Sequence, residues 1–327
     1  MNYTDLIQRA ARLTWRYKVL WILGILLALS SGGGSSSFNY SFPSNSGGNI
    51  GSPMMPVWGM PDPNVIAGFV LLCCCLLAVL IVVLTIVQYV ARTGLYRAVD
   101  QIEETGAAPT WREALRLGWD RRALRMFLLD LLVGLVLFIG VMALLLLAAS
   151  PLLLLIFDVD ALSIFGGIAA AGLFLLAILL IVVAAVVVSV LQQFWRRQIA
   201  LDDRSVGDAL ALGTGMARGR VGDVAIFWIL MTLVGLVFGF LVLALMFVLG
   251  LAGLAVGGGL GYAVYALFDS TAAALLVGVP LFLLIFGLPL LFVQGIYLVF
   301  EASAWTLAYR EVRAGAASTA VELADNA

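Results

Sequence analysis

Three acids, Asp130, Asp223 and Glu301, stand beside long apolar runs, close to where a membrane would begin. A carboxylate at that depth is costly unless it is paired or used, so these positions are the first candidates for chemistry. Asp130 and Asp223 each lie a few residues beyond an arginine group, Arg122 and Arg125 in one case, Arg218 and Arg220 in the other. That spacing points to ion pairs at the membrane edge. Glu301 differs, because Gln294, Tyr297 and Glu301 recur at i, i+3 and i+7 and so share one helical face beyond Pro289. The stripe either lines an inner vestibule or locks the bundle by pairing Glu301 with Arg92 or Arg196, and the sequence leaves both readings open.

Other residue types narrow the chemistry. Gln88, Gln192, Gln193 and Gln294 lie near the ends of apolar runs, where amides hydrogen-bond between helices. Gly235 and Gly239 form a GxxxG pair, and Gly253, Gly257 and Gly261 a longer series, the pattern of close helix contact within one chain or across a dimer. A flexible outer loop competes for Gly257-Gly258-Gly259. Cys73, Cys74 and Cys75 face three directions round a helix and do not converge on a metal. The chain has no histidine, which removes the commonest general base and the commonest neutral metal ligand. It also carries no phosphate loop, nucleophile elbow, zinc-protease motif or nucleic-acid module. The expectation is a protein without catalytic residues, metal, cofactor or nucleic-acid partner.

The elements that position these residues follow from composition. Of 327 residues 63% are apolar and 11% charged, with a mean hydropathy of +1.11. Soluble domains run near ~45–50% apolar and ~25% charged, so one water-facing globule does not hide this surface. The fold class is all-α and polytopic. Runs of about 20 apolar residues, the length that crosses ~30 Å of hydrocarbon, occur at roughly 13–30, 65–91, 126–150, 167–195, 224–249 and 276–300. The first reaches span length only if Trp15 and Tyr17 sit among headgroups and Arg16 and Lys18 snorkel.

Charge sets the orientation. All 18 basic residues precede span one, lie between spans two and three or four and five, or follow span six. The opposite connections hold only Asp62, Asp158, Asp160 and Asp269. Positive charge stays inside, so six spans with both termini in the cytoplasm fit every charge. A cleaved signal peptide ending near Ala28-Leu29-Ser30 is the competing reading of residues 1–30. Against it, Leu6, Ile7, Ala10 and Leu13 recur opposite Arg9, Arg12 and Arg16, as in a retained surface helix.

The cytoplasmic connections repeat. Residues 110–118 and 205–213 share [ST]-x-x-[DE]-A-L-x-L-G, which opens with a capping box, so an amphipathic helix should begin at each. With the N-terminal helix as a third, decayed copy, the units are about 1–103, 109–203 and 204–313. Each unit is a surface helix, a span, an outer loop and a second span. A Gly/Ser-rich outer loop over 30–63 and a disordered tail over 314–327 complete the chain. Pro151, Pro280 and Pro289 do not correspond between units, which argues against a repeat-symmetric transporter.

Arg121, Arg122, Arg196, Arg197, Arg218 and Arg220 cluster at the inner leaflet and are the candidates for anionic headgroups, at about 1 kcal/mol each near the surface. The stretch 196–230, with its basic pair, Ser-x-x-Asp-Ala-Leu-x-Leu-Gly helix, Arg-x-Arg and following span, resembles poorly characterised bacterial multi-helix membrane proteins. These include the membrane domain attached to some glycerophosphodiester phosphodiesterases. The resemblance implies a bacterial inner-membrane bundle and no activity, because the phosphodiesterase barrel is absent. The expected function is a non-enzymatic bundle that binds lipid, a membrane-protein partner or a second copy of itself. The alternative is a permease with its vestibule at Gln294, Tyr297 and Glu301.

Overall fold

A computed structural model describes residues 2–31, 63–152 and 160–325. The outer loop over 32–62, with Asp62, and residue Asp158 lie outside the described residues. The described chain is helical: α1 (Tyr3–Arg16), α2 (Val19–Ser30), α3 (Pro63–Thr105), α4 (Trp111–Gly118), α5 (Arg121–Ala149), α6 (Asp160–Asp202), α7 (Val206–Gly219), α8 (Val221–Gly253), α9 (Gly259–Phe268) and α10 (Thr271–Asp325). Five helices are long and apolar enough to cross a membrane, or six if the bent pair α1–α2 counts as one span. This is a multi-pass membrane protein.

Its long helices have two parts. At ~1.5 Å per residue, the 43 residues of α3 and of α6 reach about 64 Å, twice the thickness of the hydrocarbon. One part is an apolar arm most of whose large side chains are exposed: 70–86 on α3, 128–147 on α5, 168–187 on α6, 226–254 on α8 and 275–292 on α10. The other part, at the end where the basic residues gather, is buried. There Leu95, Val99 and Ile102 of α3, Ile199 and Ala200 of α6, and Trp305, Tyr309 and Val312 of α10 form the core. Leu6 and Ala10 of α1 close it, while Arg9, Arg12 and Arg16 on the opposite side of that helix are exposed.

Short helices lie across this basic end. Thr110 caps α4 with the expected reciprocal box to Glu113, and Ser205 caps α7 by accepting from the Asp208 amide. Helix α4 packs on α3, α7 on α6 and α1 on α10. The first contact is backbone-close: a Cβ on Gly118 would run into the Val90 carbonyl oxygen.

Three expectations change. The span over 13–30 is broken at Tyr17–Lys18, where α1 and α2 meet at 96°. Helix α2 keeps 12 residues, about 18 Å, too short to cross alone. It packs instead on α10 through Gly24 and Gly295. Span five does not end at 249. A π-helical turn, Leu254–Gly258, joins α8 to α9, and the chain turns only at Asp269, which takes a left-handed φ of 49°. Gly253, Gly257 and Gly261 let this segment lie on Phe282, Gly278 and Ala274 of α10, so the glycines build a helix contact rather than a loop. Finally, α10 continues through Pro280 and Pro289 and on through residues 314–325, where the composition suggests a disordered tail. Alanine, the best helix former, recurs in that stretch.

Candidate functional site

The charged residues nearest the apolar arms meet where α3, α5, α6 and α10 enter the core. Asp130 of α5 is the centre of one half. Its carboxylate accepts from Arg196 Nε at 2.9 Å and from the Tyr89 hydroxyl at 3.1 Å, and lies 3.7 Å from Arg92 Nη1. The ion pair expected for this acid therefore forms, with partners on α3 and α6 in place of Arg122 or Arg125. Those two turn to the end of α6: Arg122 donates to the Ala200 and Leu201 carbonyls, and Arg125 pairs with Asp203 at 2.9 Å. Asp223 forms no ion pair among the described residues and accepts from the Tyr3 hydroxyl at 2.7 Å.

Arg197 is the other half, and it is 1% exposed. Among the described residues no carboxylate pairs with it. Its guanidinium donates to Thr306 Oγ1 at 3.2 Å, to the Gln193 carbonyl and side-chain oxygens at 2.7 and 2.9 Å, and to the Ala302 carbonyl at 3.3 Å. It also lies 4.5 Å from the centre of the Tyr96 ring. Arg196 and Arg197, expected to reach headgroups, are thus turned inward, because α6 is flanked by α3, α5, α7 and α10. Arg121 and Arg218 are exposed. Arg220 lies across Gly315, where a Cβ would run into its guanidinium.

Glu301 has no hydrogen bond or ion pair among the described residues. It faces Arg197, Arg92 and Arg196, all beyond ion-pair distance. It is largely buried but keeps a margin of exposed surface. One turn earlier, the Tyr297 ring stacks on Phe238 of α8 at 4.0 Å, and its hydroxyl comes to 2.8 Å of where a Gly235 Cβ would sit. Gly235 thus serves close contact as the sequence suggests, and Gly239 is half-buried. Gln294, Tyr297, Gln88 and Gln192 also make no hydrogen bond among the described residues. Amides that were expected to bridge helices do not, and Gln193 serves Arg197 of its own helix.

On the stripe itself, Phe238 covers the Tyr297 ring. A cavity of about 200 Å³ opens elsewhere at the basic end, between Arg97, Asp100, Gln101, Glu104 and Arg122. Its charges are engaged: Arg97 donates to the Leu117 carbonyl, and Asp100 pairs with Arg310. Outside the spans, the amide and hydroxyl of Thr110 hold the Glu113 carboxyl below its ordinary range. Cys73 is partly buried and Cys74 and Cys75 exposed on the α3 arm.

The sequence did not single out Tyr89, Tyr96 or Thr306. One signal was available: Gln88 and Arg92 on α3 share a four-residue spacing with Gln193 and Arg197 on α6.

A family model matches residues 7–305. The chain belongs to DUF7544, a family of unknown function. No curated protein and no solved structure matches. Membership of DUF7544 names no phosphodiesterase and brings no activity with it.

Proposed function

We propose that this DUF7544 protein is a non-enzymatic bundle of the bacterial inner membrane, with both termini in the cytoplasm, that binds anionic lipid at its basic end. The observation that carries the reading is a set of exposed arginines beside exposed tryptophans at the ends of the surface helices. Arg12 and Arg16 flank Trp15, Arg112 lies over the Trp111 ring at 5.1 Å, and Arg121 follows Trp119. Trp15 and Trp119 are 65% and 72% exposed, which suits rings set among headgroups. Arg218, near exposed Val221, stands correspondingly at the end of α7. Three repeated helix pairs account for these helix ends, and the packing of α4 on α3, α7 on α6 and α1 on α10 supports that reading. The likeness of 196–230 to a phosphodiesterase membrane domain fits a module that positions lipid without cleaving it.

Native mass spectrometry of the purified protein is the test. Bound anionic lipid is expected to fall when Arg12, Arg112, Arg116, Arg121 and Arg218 become Gln, and to persist in an Arg9→Gln control, whose partner is Glu103. Unchanged retention overturns the lipid reading. For the orientation, reporter fusions after residues 105, 205 and 320 should lie inside and those after 160 and 269 outside. A permease is the second reading, favoured by the unpartnered Gln294, Tyr297 and Glu301. Solute flux in proteoliposomes that is lost in Glu301→Ala would support it.

A further inference from the structure

The cavity of about 200 Å³ at the basic end is lined along one face of α3 by Arg97, Asp100, Gln101 and Glu104, at i, i+3, i+4 and i+7, and from α5 by Arg122. Its charges are sorted into two poles. Arg97 Nη1 and Arg122 Nε lie 3.6 and 3.5 Å from the same Asp120 carboxylate oxygen, so the two guanidiniums stand together. Asp100 and Glu104 are both paired to Arg310 Nη1, so the two carboxylates stand together as well. Leu117 and Leu201 add apolar wall.

Pairing leaves one charge in excess at each pole. Around the first, Arg97, Arg122 and Arg125 meet Asp120 and Asp203. Around the second, Asp100 and Glu104 meet Arg310 alone among the described residues. Hydrogen-bonding capacity is also left over. Arg97 uses only Nη1, on the Leu117 carbonyl, and Arg122 only Nη1, on α6 carbonyls. Arg122 Nε is buried without a hydrogen bond, and the Gln101 amide has no partner among the described residues.

These features choose the guest. Opposite poles of equal excess disfavour a molecule of net charge and suit one that carries both signs. A cavity of ~150 Å³ accepts benzene, so the guest is a small molecule of similar bulk. Asp100 and Glu104 follow Arg97 along α3 by about 5 and 10 Å at ~1.5 Å per residue, which asks for an acid group and an amine several methylenes apart. Depth sets its source. The exposed apolar side chains of α3 end at Ile86, and Asp100 is 14 residues further on. That is about 21 Å along the helix, beyond a headgroup layer of ~5–8 Å, so the guest comes from water.

We propose that this cavity binds a small water-soluble zwitterion of the ω-amino acid type, its acid group on Arg97, Arg122 and Gln101 and its ammonium on Asp100 and Glu104. The site is separate from the arginines proposed to hold lipid, and neither reading depends on the other.

Isothermal titration calorimetry of the purified full chain in detergent is the test. The probes are γ-aminobutyrate and ε-aminocaproate, with glycine as a short zwitterion and butyrate and butylamine as single charges. Wild type should bind one of the two long zwitterions at least about tenfold more tightly than glycine, butyrate or butylamine, the ~1.4 kcal/mol of one hydrogen bond to a charged group. Glu104 is 62% exposed and its ion-pair partner is 3.7 Å away, so Glu104→Gln leaves the fold in place. It should bring the zwitterion down to the affinity of butyrate and leave butyrate unchanged. Arg97→Gln should remove both. No binding of either long zwitterion, butyrate bound as tightly as they are, or an affinity that survives Glu104→Gln overturns the proposal. Displacement of the zwitterion by phosphatidylethanolamine in mixed micelles would put a lipid headgroup in the cavity and overturn the soluble source.

Discussion

At the basic end, α3, α6 and α10 touch and bury Arg92 and Arg197, and short helices pack on the same end. Along the arms the same helices bury little: no more than 11% of any apolar window lies inside the protein. The difference follows from the solvent. Lipid tails are as apolar as leucine and give no hydrophobic drive for helices to pack, so contact there relies on small residues, as Gly253, Gly257 and Gly261 supply between α8–α9 and α10. Beyond the hydrocarbon, water restores that drive and the core condenses. The specificity of this fold is therefore concentrated outside the membrane band, and the charges held there are buried by protein.

The widest separation between the two regions should come from Asp130→Ala. It strands Arg92 and Arg196, which are 5% and 16% exposed, beside a lost carboxylate, and breaking such a buried pair costs about 3–5 kcal/mol. Leu135→Ala, on the exposed α5 arm, is expected to cost less than ~1 kcal/mol, because the side chain leaves no protein cavity. Thermal melts in detergent compare the two. Similar costs would show that the arms carry as much of the fold as the basic end.

A glycine pair sharpens the same contrast with a smaller effect. Gly118→Ala pushes a methyl into the Val90 carbonyl, and α4 must lift from α3, at about 1–3 kcal/mol. Gly134→Ala on the α5 arm meets nothing within 4 Å and should be neutral, or stabilising by up to ~1 kcal/mol from helix propensity. An equal loss of melting temperature in both variants would break the distinction.

What could be read from sequence divides along the same line. The arms were plain, because hydrocarbon demands long apolar runs and the five longest helices follow them. The break at Tyr17–Lys18 was not, because Leu20, Leu23 and Leu27 are as apolar as any span and hide that α2 serves as packing on α10 and α3. At the site, the costly acid Asp130 was recognisable but its partners were not. Arg125 is five residues away, about 140° round the helix, and so points elsewhere. The true partner, Arg196, lies 66 residues further along the chain, and only the fold brings α6 beside α5. Arg197 shows the same limit: a basic pair at a span's end reads as a headgroup anchor until four neighbouring helices enclose it.

The smallest effect tests the surface of the basic end. Thr110→Ala removes the hydroxyl that caps α4 and should cost about 1 kcal/mol. The Glu113 half of the box is pH-dependent. Its carboxyl titrates lower in the folded protein than in the unfolded chain, because the ionised form accepts from the Thr110 amide and hydroxyl. Its contribution is therefore complete above the unfolded value near 4.5 and fades as pH falls through the lower folded value. Melting curves from pH 7 down to about pH 3 should show wild type losing a small increment that Glu113→Gln, which keeps an acceptor but no charge, does not lose. If both decline in parallel, the acid-sensitive step lies elsewhere than at the α4 cap.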